Sequence, residues 1–233
     1  ELECDKLSYH QSSNLHGVLM KTMDTEYAGY LHTLQVNPFS QSLIVKDGKK
    51  IWNVNTLDRL AYEQIILPLF KLKEFKVKND KMTVKLGPME LIESSAEELL
   101  EELYQVEGEP FLRIFFDTPT AFKQRGSYIN YPDLRLIYQG LMNRYNTIVE
   151  GIEGLDEEVL ESLVSNSTVT DYHLRTVKFP LEGIRITGFQ GDIRIHVKGP
   201  DAMARYLRML FRFGEYAGIG IKTGLGMGSI RLR

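Results

Sequence analysis

Near the C-terminus, the segment Ala217-Gly-Ile-Gly-Ile-Lys-Thr-Gly-Leu-Gly-Met-Gly-Ser229 places glycine at 218, 220, 224, 226 and 228. A stretch this rich in glycine makes a poor helix or strand interior, because glycine loses more backbone freedom on folding than any other residue. It offers instead backbone conformations and close approaches that a Cβ forbids. Two familiar phosphate-binding uses fail here. A Walker loop needs Gly-Lys-Ser/Thr at the mouth of a helix, whereas Ile221 precedes Lys222. A dinucleotide fingerprint needs a following helix and an acidic residue about 20 positions on, and only five residues follow Gly228. Two readings are left: a loop whose amides and Lys222 hold the phosphates of an RNA strand, or a tightly packed turn. In both, the chain closes as helix, glycine loop and short strand, the strand at Ser229 to Arg233.

The rest of the chain reads as two passes through one order of elements. In the first, Leu2 to Tyr9 has strand spacing. Leu15, Val18, Leu19, Met23, Tyr27 and Leu31 recur at three and four residues, the mark of one buried helix face. Ser12, Ser13 and Asn14 are its candidate caps, Asp24 and Thr25 interrupt it or cap a second helix, and Pro38 ends the helical stretch. Leu43 to Val45 and Lys50 to Val54 read as strands around the turn-like Lys46-Asp47-Gly48-Lys49. Leu57, Leu60, Ala61, Ile65 and Leu69 give another helix, and Glu74 to Lys78 and Lys81 to Leu86 alternate around Asn79-Asp80. In the second pass, Phe111 to Phe116 is a dense apolar strand. Leu134, Ile137, Tyr138, Leu141 and Tyr145 form a helical face within Asp133 to Ile148, with Pro132 at its start. Thr168 to Lys178 and Ile184 to Val197 are strands broken by Pro180 and by Gly188 to Gly191. Ala202 to Phe213 is a helix whose Arg205, Arg208 and Arg212 share a face. The doubled order predicts an α+β fold of two tandem ferredoxin-like (RRM-like) βαββαβ domains, 1–105 and 106–233, joined near Glu101 to Pro110.

Composition adds boundaries. With 43% apolar and 25% charged residues, the chain is expected to be globular rather than disordered. No run approaches the ~18 uninterrupted apolar residues of a membrane span. The lone Cys4 excludes an intramolecular disulfide and a cysteine zinc site, and fits a reducing, cytoplasmic setting. The five histidines show no His-x-x-x-His spacing, so no metal and no cofactor is implied. A net charge of −3 argues, taken alone, against nucleic acid. Its distribution does not. Glu90 to Glu109 holds eight carboxylates and Glu150 to Glu161 six more, while 168–233 carries 11 Lys/Arg against 5 Asp/Glu. Association responds to the local field, so acidic blocks can mask a basic face elsewhere.

Three stretches taken together resemble the CRISPR-associated repeat-processing endoribonucleases (the Cas six family of the RAMP superfamily). They are the glycine loop Ala217 to Gly228, of the form Gly-x-Gly-x-Lys-Thr-x-x-Gly-x-Gly; Asp117-Thr-Pro-Thr-Ala-Phe-Lys-Gln-Arg-Gly126, followed by Pro132 and the helix end Leu141 to Asn146; and Leu15-His-Gly-Val-Leu19, Tyr30-Leu-His32 and Pro38-Phe-Ser-Gln-Ser42. The resemblance spans nearly the whole chain and implies tandem ferredoxin-like units that cut precursor CRISPR RNA within its repeats, without metal. The ribose 2′-OH would attack the adjacent phosphate, leaving a 2′,3′-cyclic phosphate and a 5′-OH. Such chemistry needs a base, an acid and a cation for developing charge, and histidine suits either proton role.

On the resemblance His32 falls at the catalytic histidine, with His16 the runner-up. His10 lies at the strand-to-helix junction, while His173 and His196 are expected on strand surfaces. Where some members have a tyrosine on the first helix this chain has Met20, and no lysine lies between His32 and Phe39, so Lys21 or Lys46 is left to supply the cation. For RNA the candidates are Lys123, Arg125, Lys222 and Arg231, the amides of Gly218, Gly220, Gly224, Gly226 and Gly228 with Thr223 among them, and the Arg205/Arg208/Arg212 face. Trp52 is expected to pack rather than stack on a base. The expected partner is CRISPR repeat RNA; a CRISPR effector complex and a homodimer are further partners left open, and a non-catalytic repeat-RNA binder of the same fold is the alternative reading.

Overall fold

The computed structural model describes residues 1–4, 7–77, 82–105, 109–181 and 183–233. The first half runs β1 (Leu2–Glu3), a 3-10 turn (Tyr9–Gln11), α1 (Ser12–Thr22), α2 (Thr25–Leu31), β2 (Phe39–Lys46) and β3 (Lys49–Thr56). A helix in three pieces follows, α3 (Arg59–Ala61), a π turn (Tyr62–Ile66) and α4 (Leu67–Phe70), then β4 (Glu74–Val77) and β5 (Met82–Leu86). The sheet order is β2-β3-β1-β5-β4 with every pairing antiparallel. Setting aside the extra edge strand β4, strands one to four of a βαββαβ unit lie in the order 4-1-3-2, the ferredoxin-like arrangement. The Asn79-Asp80 hairpin tip lies outside the described residues.

Local chemistry explains most boundaries. The start of α1 is not capped by Ser12, Ser13 or Asn14. A 3-10 turn precedes it, and there the Ser8 N–H donates to Gln11 Oε1 at 2.8 Å, so the chain is already turning when α1 begins. Asp24 does cap α2, accepting from the N–H groups of Glu26 and Tyr27. The hairpin from β2 to β3 turns through Asp47 and Gly48, both at positive φ (49° and 76°), as a two-residue turn matched to strand twist demands. β2 begins at Phe39, four residues earlier than its apolar run predicts. Ser40, Gln41 and Ser42 are buried, and hydrogen bonds across the fold compensate the polarity of Ser40 and Gln41.

The second half runs α5 (Ala96–Gln105), β6 (Phe111–Thr120), the short hairpin β7 (Phe122–Gln124) and β8 (Ser127–Ile129), and α6 (Leu134–Tyr145) continued by a π turn (Asn146–Glu150). Then come α7 (Glu157–Ser165), β9 (Ser167–Leu181), β10 (Ile184–Val197), α8 (Asp201–Ala217) and β11 (Ile230–Leu232). Its sheet, β11-β6-β10-β9, is antiparallel and repeats the 4-1-3-2 order. Neither long strand breaks where proline and glycine suggested. Pro180 sits in β9, a sheet edge where a missing N–H is tolerated, and the Gly188 to Gly191 stretch makes a bulge between Phe189 and Gly191. The Thr118 to Gly126 stretch ends β6 and forms the β7–β8 hairpin, whose tip, Arg125-Gly126, turns at positive φ.

Leu112, Ile114 and Phe116 of β6 meet Ile137 and Leu141 of α6 and Leu207, Leu210 and Phe211 of α8 in the larger core. Each such side chain contributes roughly 1.5–3 kcal/mol when fully buried. The division at 105/106 falls between the two sheets and borders residues 106–108, which lie outside those described. α5, on its N-terminal side, packs Leu99, Leu100 and Leu103 on the second core. The acidic block Glu150 to Glu161 is partly neutralised by Arg135, which pairs with Glu157 at 3.0 Å and with Glu161. Among the described residues no helix is long and apolar enough to cross a membrane.

Candidate active site

Where the two units meet, α1, the end of α2, the β7–β8 hairpin and the glycine loop enclose a cleft of about 550 Å³. His16 and His32 line it from the first unit, and Lys123, Tyr128, Arg144 and Lys222 from the second. A second groove of about 440 Å³ continues past His16, Tyr128, Lys222 and Leu225, and Lys21 and Lys76 line it. His16 and Lys222 therefore stand on the rim between the two grooves.

His16 sits one turn into α1, half-buried, with its ring stacked on Phe39 (centroids 6.1 Å apart, 18° between planes). Burial, then the nearby His32, then the Lys222 ammonium hold its pKa below the ordinary imidazole value. All three act in one direction, since each disfavours the cation. His16 is thus an uncharged, proton-accepting imidazole at neutral pH. His32 follows α2 as its C-terminal cap and is exposed. Asp24 caps the other end of this short helix.

The glycine loop is packed rather than mobile. Ile219 and Thr223 are buried, and the Ile221 N–H donates to Ala121 O at 3.0 Å. At Gly220 a Cβ would lie 2.3 Å from Ala121 O, and at Gly226 it would lie 2.3 Å from the Ser12 Cβ. Glycine is what lets the loop rest against the hairpin base on one side and the start of α1 on the other. Lys222 itself takes a left-handed conformation (φ 58°, ψ 32°), an unfavourable state for a side chain bearing a Cβ. The Leu225 N–H donates to Lys222 O at 2.9 Å and holds it there.

Two residues organise this arrangement and escaped the sequence reading. Arg144, at the end of α6, spreads its guanidinium through the loop. Nη1 donates to Ala217 O, to Gly218 O at 3.3 Å and to Thr223 Oγ1 at 3.1 Å, and Nη2 donates to Gly220 O at 3.1 Å. No carboxylate pairs with it among the described residues, and burial pushes its pKa down to about 10, so it keeps its charge at neutral pH. Its signal was positional: 144 lies seven residues after Ile137 and three after Leu141, on the stripe that faces the core, where an arginine is out of place. Gln41 is the second. Its Nε2 donates to Ser12 O at 2.9 Å and Gly224 O at 3.1 Å, while Oε1 accepts from Trp52 Nε1. It ties α1 to the loop and gives Trp52, packed on Phe75, its buried partner.

Of the other candidates, Lys123, Gly220, Lys222, Thr223 and Gly224 line the cleft, whereas Gly218, Gly226 and Gly228 lie behind it in the packing of the loop. Arg125 is at the hairpin tip. Arg231 faces elsewhere, in a two-pronged pair with Asp117 on the second sheet. Lys46 ends β2 at the far turn. His10 packs at a tilt on Tyr9 and lines neither groove. Arg205, Arg208 and Arg212 pair with Asp201, Glu109 and Glu215. No cluster of three or more His, Cys, Asp or Glu is placed to hold a metal among the described residues.

Fold and cleft together define a class: tandem ferredoxin-like units with imidazoles from the first facing lysines and a glycine loop from the second. A family model described as CRISPR-associated endoribonuclease Cas6 matches residues 114–230. A relative of that description from Streptococcus thermophilus is 37% identical over 217 residues, 93% of this chain and 89% of its own length. One from Mycobacterium tuberculosis is 32% identical over 223 residues, 94% of this chain and 71% of its own. A solved Cas6 product complex matches with a TM-score of 0.81 at 25% identity, covering all of this chain and 96% of that one. The chain belongs to the CRISPR-associated endoribonuclease Cas6 family and is an RNA-cleaving hydrolase.

Proposed function

We propose that this chain cuts CRISPR precursor RNA within its repeats, in the cytoplasm and without a metal, with residues 1–105 supplying the imidazoles and 106–233 the phosphate-holding loop. The observation that carries the reading is the pairing of a half-buried His16, kept uncharged, with an exposed His32 in one cleft beside Lys222. His16 takes the proton of the ribose 2′-OH as its oxygen forms a bond to the adjacent phosphorus. The bond from phosphorus to the 5′ oxygen breaks, and His32 in its protonated form gives that oxygen its proton. The products are a 2′,3′-cyclic phosphate and a 5′-OH, and the two histidines end with exchanged protonation. Lys222 and the neighbouring loop amides offset the charge that develops on the phosphate oxygens, and Lys123 and Lys21 hold phosphates to either side. Arg144 acts through the loop by holding the carbonyls of Ala217, Gly218 and Gly220.

The test is cleavage of the protein's own repeat RNA in EDTA by the unmutated chain, His16→Ala and His32→Ala. One cut with a cyclic phosphate end, slowed on the order of 10²–10⁴-fold in either variant with RNA affinity kept, is the expected result. Cleavage abolished by EDTA refutes the metal-free chemistry. Binding without any cutting by the unmutated chain would make it a repeat-RNA binder instead.

A further inference from the structure

A second groove, of about 830 Å³, lies on the seam between the two halves of the chain. The end of β3 and the π turn Tyr62–Ile66 line it from the first half, and the start of α5, the π turn Asn146–Glu150 and the end of α8 from the second. Residues 91–95, in neither helix nor strand, border it where the chain crosses from one half to the other. It shares no lining residue with the catalytic cleft or with the groove beside that cleft. Ile66, Leu99, Val149 and Phe213 make its wall apolar. Leu91 and Ile92 stand at its edge, 46% and 69% exposed. Around this apolar wall the charges are of one sign. Asp58, Glu93 and Glu98 line the groove, no Lys or Arg does, and no ion pair holds any of the three among the described residues. Arg59, the cation next along the chain, is taken by Glu63 at 2.8 Å. Because α5 turns Leu99, Leu100 and Leu103 onto the second core, Glu97 and Glu101 are left exposed as well, and Glu90 is exposed before the helix.

We propose that this seam groove docks a basic amphipathic helix of a partner protein. The apolar stripe of such a helix lies on Ile66, Val149 and Phe213 and covers Leu91 and Ile92, and its Lys or Arg side chains meet Asp58, Glu93 and Glu98. An apolar groove within a rim of one charge suits a helix that carries the opposite charge beside its stripe. Exposed aliphatic side chains beside an apolar wall mark a surface of interaction. RNA does not fit, because its phosphates are repelled by the carboxylates. A second copy of this chain lacks the counterpart: its basic helix face, Arg205, Arg208 and Arg212, is already paired with Asp201, Glu109 and Glu215. The groove is separate from the cleft, so a partner docked here stays on the enzyme while the cleft holds its substrate. The assignment goes beyond the proposed cleavage and does not depend on it.

The probe is a fluorescein-labelled 18-residue synthetic helix with leucine at i, i+3, i+4 and i+7 spacing and lysine elsewhere, titrated against the full chain by anisotropy. The unmutated chain should bind it, and more weakly as salt rises from about 50 to about 300 mM. The same peptide with glutamate for lysine, or with serine for leucine, should bind about tenfold more weakly or worse. Glu93→Lys with Glu98→Lys, and separately Leu91→Ser with Ile92→Ser, should each weaken binding about tenfold while keeping the circular dichroism of the unmutated chain. Glu26→Lys with Glu74→Lys reverses two exposed carboxylates that line none of the three grooves, and should bind as the unmutated chain does. Benzoylphenylalanine in place of one leucine should crosslink to peptides within 91–99 or 213–216. Equal affinity in both groove variants, an equal loss in the Glu26/Glu74 variant, no binding by the unmutated chain, or crosslinks confined to the catalytic cleft would overturn the site. A chain that sediments as a dimer, and as a monomer only with Leu91→Ser and Ile92→Ser, would put a second copy in the groove and overturn the partner. Repeat-RNA cleavage should be unchanged in both groove variants, which separates this test from that of the active site.

Discussion

Gly226→Ala is the substitution through which packing of the loop and chemistry of the cleft can be read together. Gly226 has φ 107°, and an added Cβ would sit 2.3 Å from the Ser12 Cβ and 2.9 Å from its Oγ. Ser12 is fully buried at the start of α1 and has nowhere to retreat. Carbon atoms rest about 3.5–4.0 Å apart, so loop and helix must separate by more than ~1 Å. The left-handed backbone costs about 1–2 kcal/mol and the overpacking about 1–3 kcal/mol. A destabilisation near ~3 kcal/mol lowers the melting temperature by roughly 6–12 °C for a chain of this size. The same shift moves Lys222, four residues up the loop, away from His16, one turn up α1. A misplacement of ~1 Å can cost about 10²-fold in rate. Thermal melting and single-turnover cleavage are the assays, with Ser12→Gly/Gly226→Ala as the control. That double variant removes the Cβ that is struck and should regain the overpacking share, leaving the backbone share. A Gly226→Ala protein that melts within a degree of the unmutated chain and cuts at its rate would refute the reasoning, as would a double variant no better than the sum of its parts.

Lys222→Met removes one of the three causes that lower the His16 pKa. That pKa then rises; because the base must be uncharged, the acidic limb of log(kcat/KM) should move to higher pH, besides any general loss of rate. Arg144→Met leaves the carbonyls of Gly218 and Gly220 buried without their donor, and should destabilise the fold by about 3–5 kcal/mol. Arg144→Lys keeps the charge but not the fork, so in thermal melting it should recover only part of that loss.

Long apolar periodicities carried the fold well. Leu15 to Leu31 gave α1 and α2, and the alternation at Ile193, Ile195 and Val197 gave the end of β10. What escaped were elements whose polarity is compensated at a distance. Ser40 and Gln41 read as loop residues because nothing local announces that Tyr216 O, Ser12 O and Gly224 O will receive their hydrogen bonds. The β7–β8 hairpin was hidden for a related reason, since three-residue strands are too short for alternation to show. Pro180 misled in the opposite sense: a breaker in a central strand is permissible at an edge, and edge position is a property of the sheet rather than of the residue.

The site shows why net charge was a poor guide and why residue type alone was insufficient. Among the described residues eight carboxylates, Asp117, Asp171, Asp192, Asp201, Glu109, Glu157, Glu161 and Glu215, are engaged by arginines on the second unit. Its lysines at the cleft are not so engaged: Lys123 and Lys222 face the cleft, and no ion pair holds them among the described residues. The arginines are therefore largely architectural and the lysines are the charges on offer. The imidazoles separate by the same logic. Of five histidines, residue type favours none; His16 and His32 are the two that line the cleft, and of these His16 is half-buried against an aromatic ring and feels the Lys222 charge. That environment favours the uncharged imidazole, and it is held together by Arg144 within the loop and by Gln41 and the close contact of Gly226 with Ser12, which bring the end of one unit against the first helix of the other.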